Sequence, residues 1–289
     1  MALSIVVAVG VVGAAGTAYA SELPSQTSTN WAGYAAITGP STSDYAKHFT
    51  HVSGTWIEPT AACTAAKPTF SAFWVGLGGY KETSKALEQV GSEADCTASG
   101  QVSYYAWYEY VPLGPNTIHK IRVNPGDEIT ATVGAKRDRA TITLTDVTTG
   151  VSFKHTKRMR SPKPDVSAAE WIAEAPSACN QNRCTPLALT NFGSLTFTNA
   201  TATSVGIDGL QTGGIDDSAW IYGAIDLDSN NSRSRFNRIE PSEATTGNLA
   251  ATGDSFSVTY GTGSTGPTGP TGSSGSTGPS GASGSTGVT

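Results

Sequence analysis

Between residues 21 and 260, apolar and polar positions alternate in short runs separated by Gly, Pro, Asn and Asp. The runs at 51–57, 70–77, 102–111, 128–134, 140–147 and 195–200 are rich in Thr, Val, Ile and aromatics. Each predicts a strand, and many short strands in succession predict an all-β sandwich or barrel. Pro125-Gly126-Asp127 and Thr148-Thr149-Gly150 read as turns. A stretch of about 240 residues can form one such domain. Residues 167–175 alone read as helix by local signals. Ser167 and Glu170 match the S-x-x-E capping box, and Pro176 would stop the element.

Strand alternation also sorts side chains onto faces. Across 103–111, one face takes Ser103, Tyr105, Trp107 and Glu109; the other takes Tyr104, Ala106, Tyr108 and Tyr110. A carboxylate among aromatics fits a substrate groove, where rings supply area and the acid supplies orientation. It equally fits a Tyr-rich core face whose Glu109 ends the strand near solvent.

Both ends of the chain depart from this pattern. Residues 2–16 are small and apolar and lead into Ala18-Tyr19-Ala20, an A-x-A site before polar sequence. This predicts a secretory signal over 1–20, cleaved after Ala20. The usual basic n-region is missing, which reads as a truncated start. Over 261–289, Gly recurs at every third position from Gly263 to Gly287. That period is the collagen requirement, but three triplets alone carry Pro after Gly. The tract is read as a flexible low-complexity tail, with trimerisation through it as the alternative. The expected organisation is signal, 21–260 β-domain, and tail.

Composition narrows the function. Charged residues are 14%, against about 25% in an ordinary globular chain. Net charge is -5 and pI about 5.4, with no basic face for a nucleic acid. No apolar run is long enough to span a bilayer, so no membrane association is expected after signal cleavage. The four Cys allow three pairings. Cys179 and Cys184 are close enough to clip one loop, which leaves Cys63 with Cys96. A zinc site is the rival reading, but there is no C-x-x-C and no His near either pair. No H-E-x-x-H, G-x-S-x-G, D-T-G, D-S-G or G-x-x-x-x-G-K-S/T occurs. Carboxylate and amide chemistry remains, and no cofactor or metal is implied. Asn199-Ala200-Thr201 and Asn230-Asn231-Ser232 fit the N-glycosylation pattern.

Six segments, in order, resemble the eqolisin family of secreted glutamic peptidases. They are Ser28-Thr29-Asn30-Trp31-Ala32-Gly33, Trp74-Val75-Gly76, Glu88-Gln89-Val90-Gly91, Ala106-Trp107-Tyr108-Glu109, Ala169-Glu170-Trp171-Ile172, and the run Phe192 through Ala200. The resemblance covers roughly residues 28–260. It implies a sandwich of two antiparallel sheets, of the concanavalin A-like lectin and glucanase type. It implies a secreted, extracellular acid endopeptidase acting on protein or peptide, expected as a monomer. It further implies a catalytic Glu170 and Gln89, with Trp31, Trp74, Trp107, Glu109 and Tyr105 lining the groove. It overrides the local helix signal and makes Glu170 a strand residue.

Glu174 rivals Glu170 because both share one strand face; the A-E-W match favours Glu170. Leu210-Gln211-Thr212-Gly213 matches the family's L-Q-T-G string better than the segment around Gln89. It falls after the T-F-T-N-A segment rather than between W-V-G and A-W-Y-E, and is read as a turn. Two departures bear on pH optimum and specificity. Gly78 and Tyr105 stand where fungal members usually carry Asp. Two other readings remain: a glycoside hydrolase using Glu109 with Glu170, and a non-catalytic lectin-like module. Gln89 discriminates, because neither alternative has a role for an amide there.

Overall fold

The computed structural model describes residues 21–38, 48–180, 183–206, 209–229 and 243–261. The signal, the tail beyond residue 261 and the Asn230 glycosylation pattern lie outside the described residues. Within them the chain is strands and loops, with no α-helix. The strands are β1 (Ser21–Glu22), β2 (Gln26–Ser28), β3 (Trp31–Ile37), β4 (His48–Ile57), β5 (Thr69–Gly78), β6 (Leu87–Cys96) and β7 (Val102–Tyr110). They continue with β8 (Asn116–Thr117), β9 (Glu128–Lys136), β10 (Arg139–Asp146), β11 (Val151–Arg158), β12 (Ala168–Glu174), β13 (Ser177–Asn180) and β14 (Arg183–Pro186). The last are β15 (Ser194–Gly206), β16 (Gly209–Gly213), β17 (Ile221–Asp228), β18 (Glu243–Thr246) and β19 (Phe256–Tyr260).

Hydrogen bonding runs as two long antiparallel arms. The first goes β17–β3–β12–β5–β6–β7–β8. The second goes β11–β10–β9–β4–β15, where β15 pairs β19 along one half and β16 along the other. β18 pairs both β19 and β17 and so joins the arms at one side. The short β1 and β2 run parallel to β17.

The core lies between the arms. The first contributes Tyr34, Phe73, Val75, Val90 and Trp171; the second contributes Val52, Trp56, Ile129, Ile142, Leu144 and Phe197. Burying each large apolar side chain is worth about 1.5–3 kcal/mol. Two indoles cross the gap as donors. Trp171 Nε1 bonds the Ser53 carbonyl at 2.7 Å, and Trp56 Nε1 bonds Ser92 Oγ at 3.1 Å.

Each of the six predicted runs falls on one strand, with Val111 and Val147 one residue past the ends of β7 and β10. The helix signal over 167–175 does not survive. β12 is an inner strand paired with both β3 and β5, buried from Ala168 to Ala173. Its backbone groups are satisfied on both edges, which outweighs a weak local propensity. The capping box does not form, because the Ser167 amide donates to Asp165 Oδ1 at 2.9 Å.

Both expected disulfides are present. Cys63–Cys96 ties the segment before β5 to the end of β6. Cys179–Cys184 clips the β13–β14 hairpin, where the two residues face each other in register.

Candidate active site

Antiparallel register puts directly opposed residues on one face. Along the outer face of the first arm, one row reads Ala35, Glu170, Gly76, Gln89 and Glu109, from β3 to β7. The next row reads Gly33, Ile172, Trp74, Gly91 and Trp107. The third reads Trp31, Glu174, Ala72, Glu93 and Tyr105. All seven expected site residues therefore share one sheet face. Tyr105, Trp107 and Glu109 occupy the side that alternation assigned them, while Tyr104 and Tyr108 pack on the core.

Glu170 and Gln89 are separated by one strand, so their Cα atoms lie about 10 Å apart. Gly76 stands between them. A β-carbon there would come within 2.8 Å of the Trp74 ring and 3.0 Å of Leu87. The Trp74 ring and Leu87 close over this position, so the floor between carboxylate and amide has no room for a side chain at residue 76.

The two candidate acids differ in their partners. Glu174 is held: Trp74 Nε1 donates to it at 2.7 Å and Asn30 Nδ2 at 3.0 Å. Glu170 has 0% exposure, and neither of its oxygens finds a hydrogen-bond partner among the described residues. Unpaired buried polar groups are costly, and the equally buried Glu88 carboxylate on the opposite face is bare in the same way. Burial, then the negative charges of Asp165 and Glu88, push the Glu170 carboxyl well above its ordinary range. Burial also raises Glu174, to about 7, against its hydrogen bonds.

Gln89 is 5% exposed and donates from Nε2 to Glu109 Oε2 at 2.7 Å. Its Oε1 has no partner among the described residues. Nε2 carries two protons, so one stays free. Burial raises Glu109, opposed by its bond from Gln89.

The aromatics divide. Trp74 is fully enclosed, packed edge-on to Trp31 at 5.1 Å; its visible work is holding Glu174. Trp31 and Tyr105 are partly exposed and Trp107 is nearly covered. Tyr105 donates to Asp95 Oδ2 at 2.9 Å, beside Glu93. Burial, then neighbouring Asp95, push Glu93 up. Neither Glu93 nor Asp95 was singled out from sequence. Their spacing of four and six from Gln89 on one strand was the available signal.

At Gly78 a β-carbon would fall 2.4 Å from Asp165 Cβ, so the Asp165 side chain fills that space. Gln211 lies on exposed β16 in the second arm and donates to Asp217 at 3.1 Å. Glu109 and Glu170 are three strand spacings apart, about 14 Å at Cα, with Gln89 between them. No cluster of metal-binding side chains occurs among the described residues.

The described residues form an all-β protein in which a buried, unpartnered carboxylate and a nearly buried amide share one face of one sheet. Its class is defined by comparison with known proteins: the Peptidase A4 family matches residues 29–245, and the chain belongs to that family. Aspergillopepsin-2 of Aspergillus niger is 37% identical over 136 residues, covering 46% of this chain and 46% of that protein. The match thus spans about half the length of that relative. Scytalido-glutamic peptidase, solved with a transition state analog inhibitor, superposes with TM-score 0.57 at 23% identity. SCP-B, an eqolisin family member solved with the tripeptide Ala-Ile-His, superposes with TM-score 0.53 at 24% identity. Each covers 80% of this chain and 98% of its own. At such identity the two structures establish the fold, and the family match agrees with the resemblance read from the motifs.

Proposed function

We propose that the chain is a secreted acid endopeptidase in which Glu170 and Gln89 perform the hydrolysis. The supporting observation is the single cross-strand row that sets Glu170 and Gln89 either side of side-chain-free Gly76. A peptide lying on that floor presents its carbonyl between acid and amide. Glu170 takes a proton from a water and the resulting oxygen attacks the carbonyl carbon. The free Nε2 proton of Gln89 donates to the oxyanion, and an amide keeps this donor in acid. Glu170 then passes its proton to the leaving nitrogen as the C–N bond breaks.

Glu109 holds the amide's NH2 end by accepting one of its protons. Burial favours the protonated form of Glu170. A water entering the groove would donate to its bare oxygens and favour the ionised form. We assign the carbohydrate-type pair Glu109–Glu170 no role, because the spacing and the intervening amide oppose it. Export, a monomeric state and a concanavalin A-like topology belong to this same reading.

The test is cleavage of casein or denatured haemoglobin at about pH 3–4, a range around an ordinary carboxyl pKa. Glu170→Gln should lower kcat by about 10³-fold. Gln89→Ala should lower it by about 10²–10³-fold. Both variants should stay folded. Normal cleavage by either variant, or a rate maximum near neutrality with nothing below about pH 5, would overturn the assignment.

A further inference from the structure

Asp165 lies in the loop between β11 and β12, and its carboxylate is cradled. Oδ1 accepts the Ser167 amide at 2.9 Å, and Oδ2 accepts the Ser84 hydroxyl in a short bond. The Gly79 amide donates to Ser84 Oγ at 3.2 Å and so holds that hydroxyl beside the carboxylate. The side chain fills the space above Gly78, two residues from Gly76. At φ +82°, Gly78 adopts a conformation that other residues avoid. The backbone here is thus shaped around this carboxylate, at the Glu170 end of the groove floor.

We propose that Asp165 is a positioning residue for Glu170: a fixed negative charge that sets the pH range in which Glu170 exchanges its proton. The proposal rests on the reading of Glu170 as the reacting acid. Two donors aimed at a carboxylate favour its ionised form. Burial pushes Asp165 up, but its hydrogen bonds outweigh that and hold it below the usual range. Asp165 therefore holds its charge further into acid than an ordinary Asp, in a range where Glu88 and Glu174 have taken up protons. Its charge is the largest acting on Glu170 after burial itself.

Other titratable groups lie near Glu170 too. Tyr80 follows β5, Glu174 shares its face of β12, Glu109 on β7 lies beyond Gln89, and Glu88 acts from the opposite face of β6. On β3 and β17, the opposed positions are the non-titrating Ala35 and Gly223. Lys81, Lys85 and Lys163 line a cavity of about 390 Å³ with Asp165, exposed to solvent, where screening weakens their opposing effect.

Asp165→Asn removes the charge and can keep the cradle. Its carbonyl still accepts from Ser167, and its NH2 donates to Ser84. The Ser84 proton then turns to the Ala86 carbonyl, already 2.8 Å away. Two readouts separate the possibilities: the carboxyl 13C titration of Glu170, assigned through Glu170→Gln, and the pH profile of kcat/KM.

In Asp165→Asn, both the Glu170 midpoint and the acid limb should move down by about one pH unit. That is a tenfold change in the ionised fraction, with melting temperature nearly constant. Asp165→Glu should retain the parent profile even if it costs some stability. Ser84→Ala, which weakens the hold on the charge, should move both readouts the same way by less. It carries the test if Asp165→Asn fails to fold. An unmoved Glu170 midpoint in a folded variant overturns the proposal and leaves Asp165 as a loop cap. A moved midpoint with an unmoved rate limb upholds the coupling and removes Glu170 from the chemistry.

Discussion

The outer faces of the two arms obey the same alternation and carry opposite chemistry. On the second arm the outward positions include a series of hydroxyls that satisfy one another. Ser53 meets Thr201, Thr55 meets Thr130, Thr141 meets Thr156, and Thr196 meets Ser257, each at 2.7–2.9 Å. On the first arm the outward positions include Glu170, Gln89, Glu109, Glu93 and Glu174, several buried and some with bare atoms. A neutral hydroxyl ladder is content in its folded pairing. A buried carboxylate without a donor is destabilised, and the fold keeps it because the core beneath is large. The contrast separates polar residues that support structure from those that hold chemistry in reserve.

The contrast can be broken most severely at its centre. Gly76→Ala puts a methyl on the floor between Glu170 and Gln89, against the Trp74 ring and Leu87. It should cost about 1–3 kcal/mol in stability by overpacking, measured by urea unfolding. Its kcat/KM should fall by about 10²-fold through misplacement of the peptide. A variant as active as the parent would show that the floor is not where substrate lies.

The second test is stability against pH. Burial raises Glu58 and Glu174 to about 7 and Glu88 to about 9, from 4.5, and raises Glu170 as well. In the unfolded chain these groups ionise at ordinary values. Between the unfolded and folded pKa values the native state therefore binds more protons. Their contribution is full below about pH 4.5 and is lost as pH rises through 7 and on to 9. The melting temperature should be highest near pH 4 and drop towards pH 8. A calorimetric series with its maximum at neutrality would contradict this account of the buried acids.

Smaller effects sharpen the picture. Glu109→Gln keeps the shape but replaces an acceptor-only group beside Gln89. Freed to rotate, the Gln89 amide should orient less well, and kcat should fall about tenfold with KM little changed. Steady-state kinetics on a peptide substrate measure that split. Smallest of all, Thr141→Val with Thr156→Val on the hydroxyl ladder should shift stability by about 1 kcal/mol or less. Activity should be unchanged. A marked loss of activity there would mean the ladder is more than structural.

Much of the site was legible because it follows local rules. Period-2 alternation places Tyr105, Trp107 and Glu109 on one face, and the same rule applied to β6 brings Glu93 to the Gln89 face. The helix signal over 167–175 failed because β12 is bonded along both edges by β3 and β5. No local pattern encodes two neighbours contributed from distant sequence. The motif match favours Glu170 over Glu174, and the structure adds that the two acids differ in their partners. Trp74 and Asn30 occupy Glu174, and both lie about a hundred or more residues away in the chain. Asp165 has no sequence signal: it matters because its carboxylate falls over Gly78 and beside Glu170.

The sequence by itself determined the strands, the disulfide pairs and the family, because alternation, cysteine spacing and motif order are all written along the chain. Only the tertiary structure decided which strands adjoin, and with them the row that joins Glu170, Gly76, Gln89 and Glu109. Register between distant strands is a property of the shared core. Burial, bare hydrogen-bonding atoms and the reach of one charge to another exist only after that core has closed.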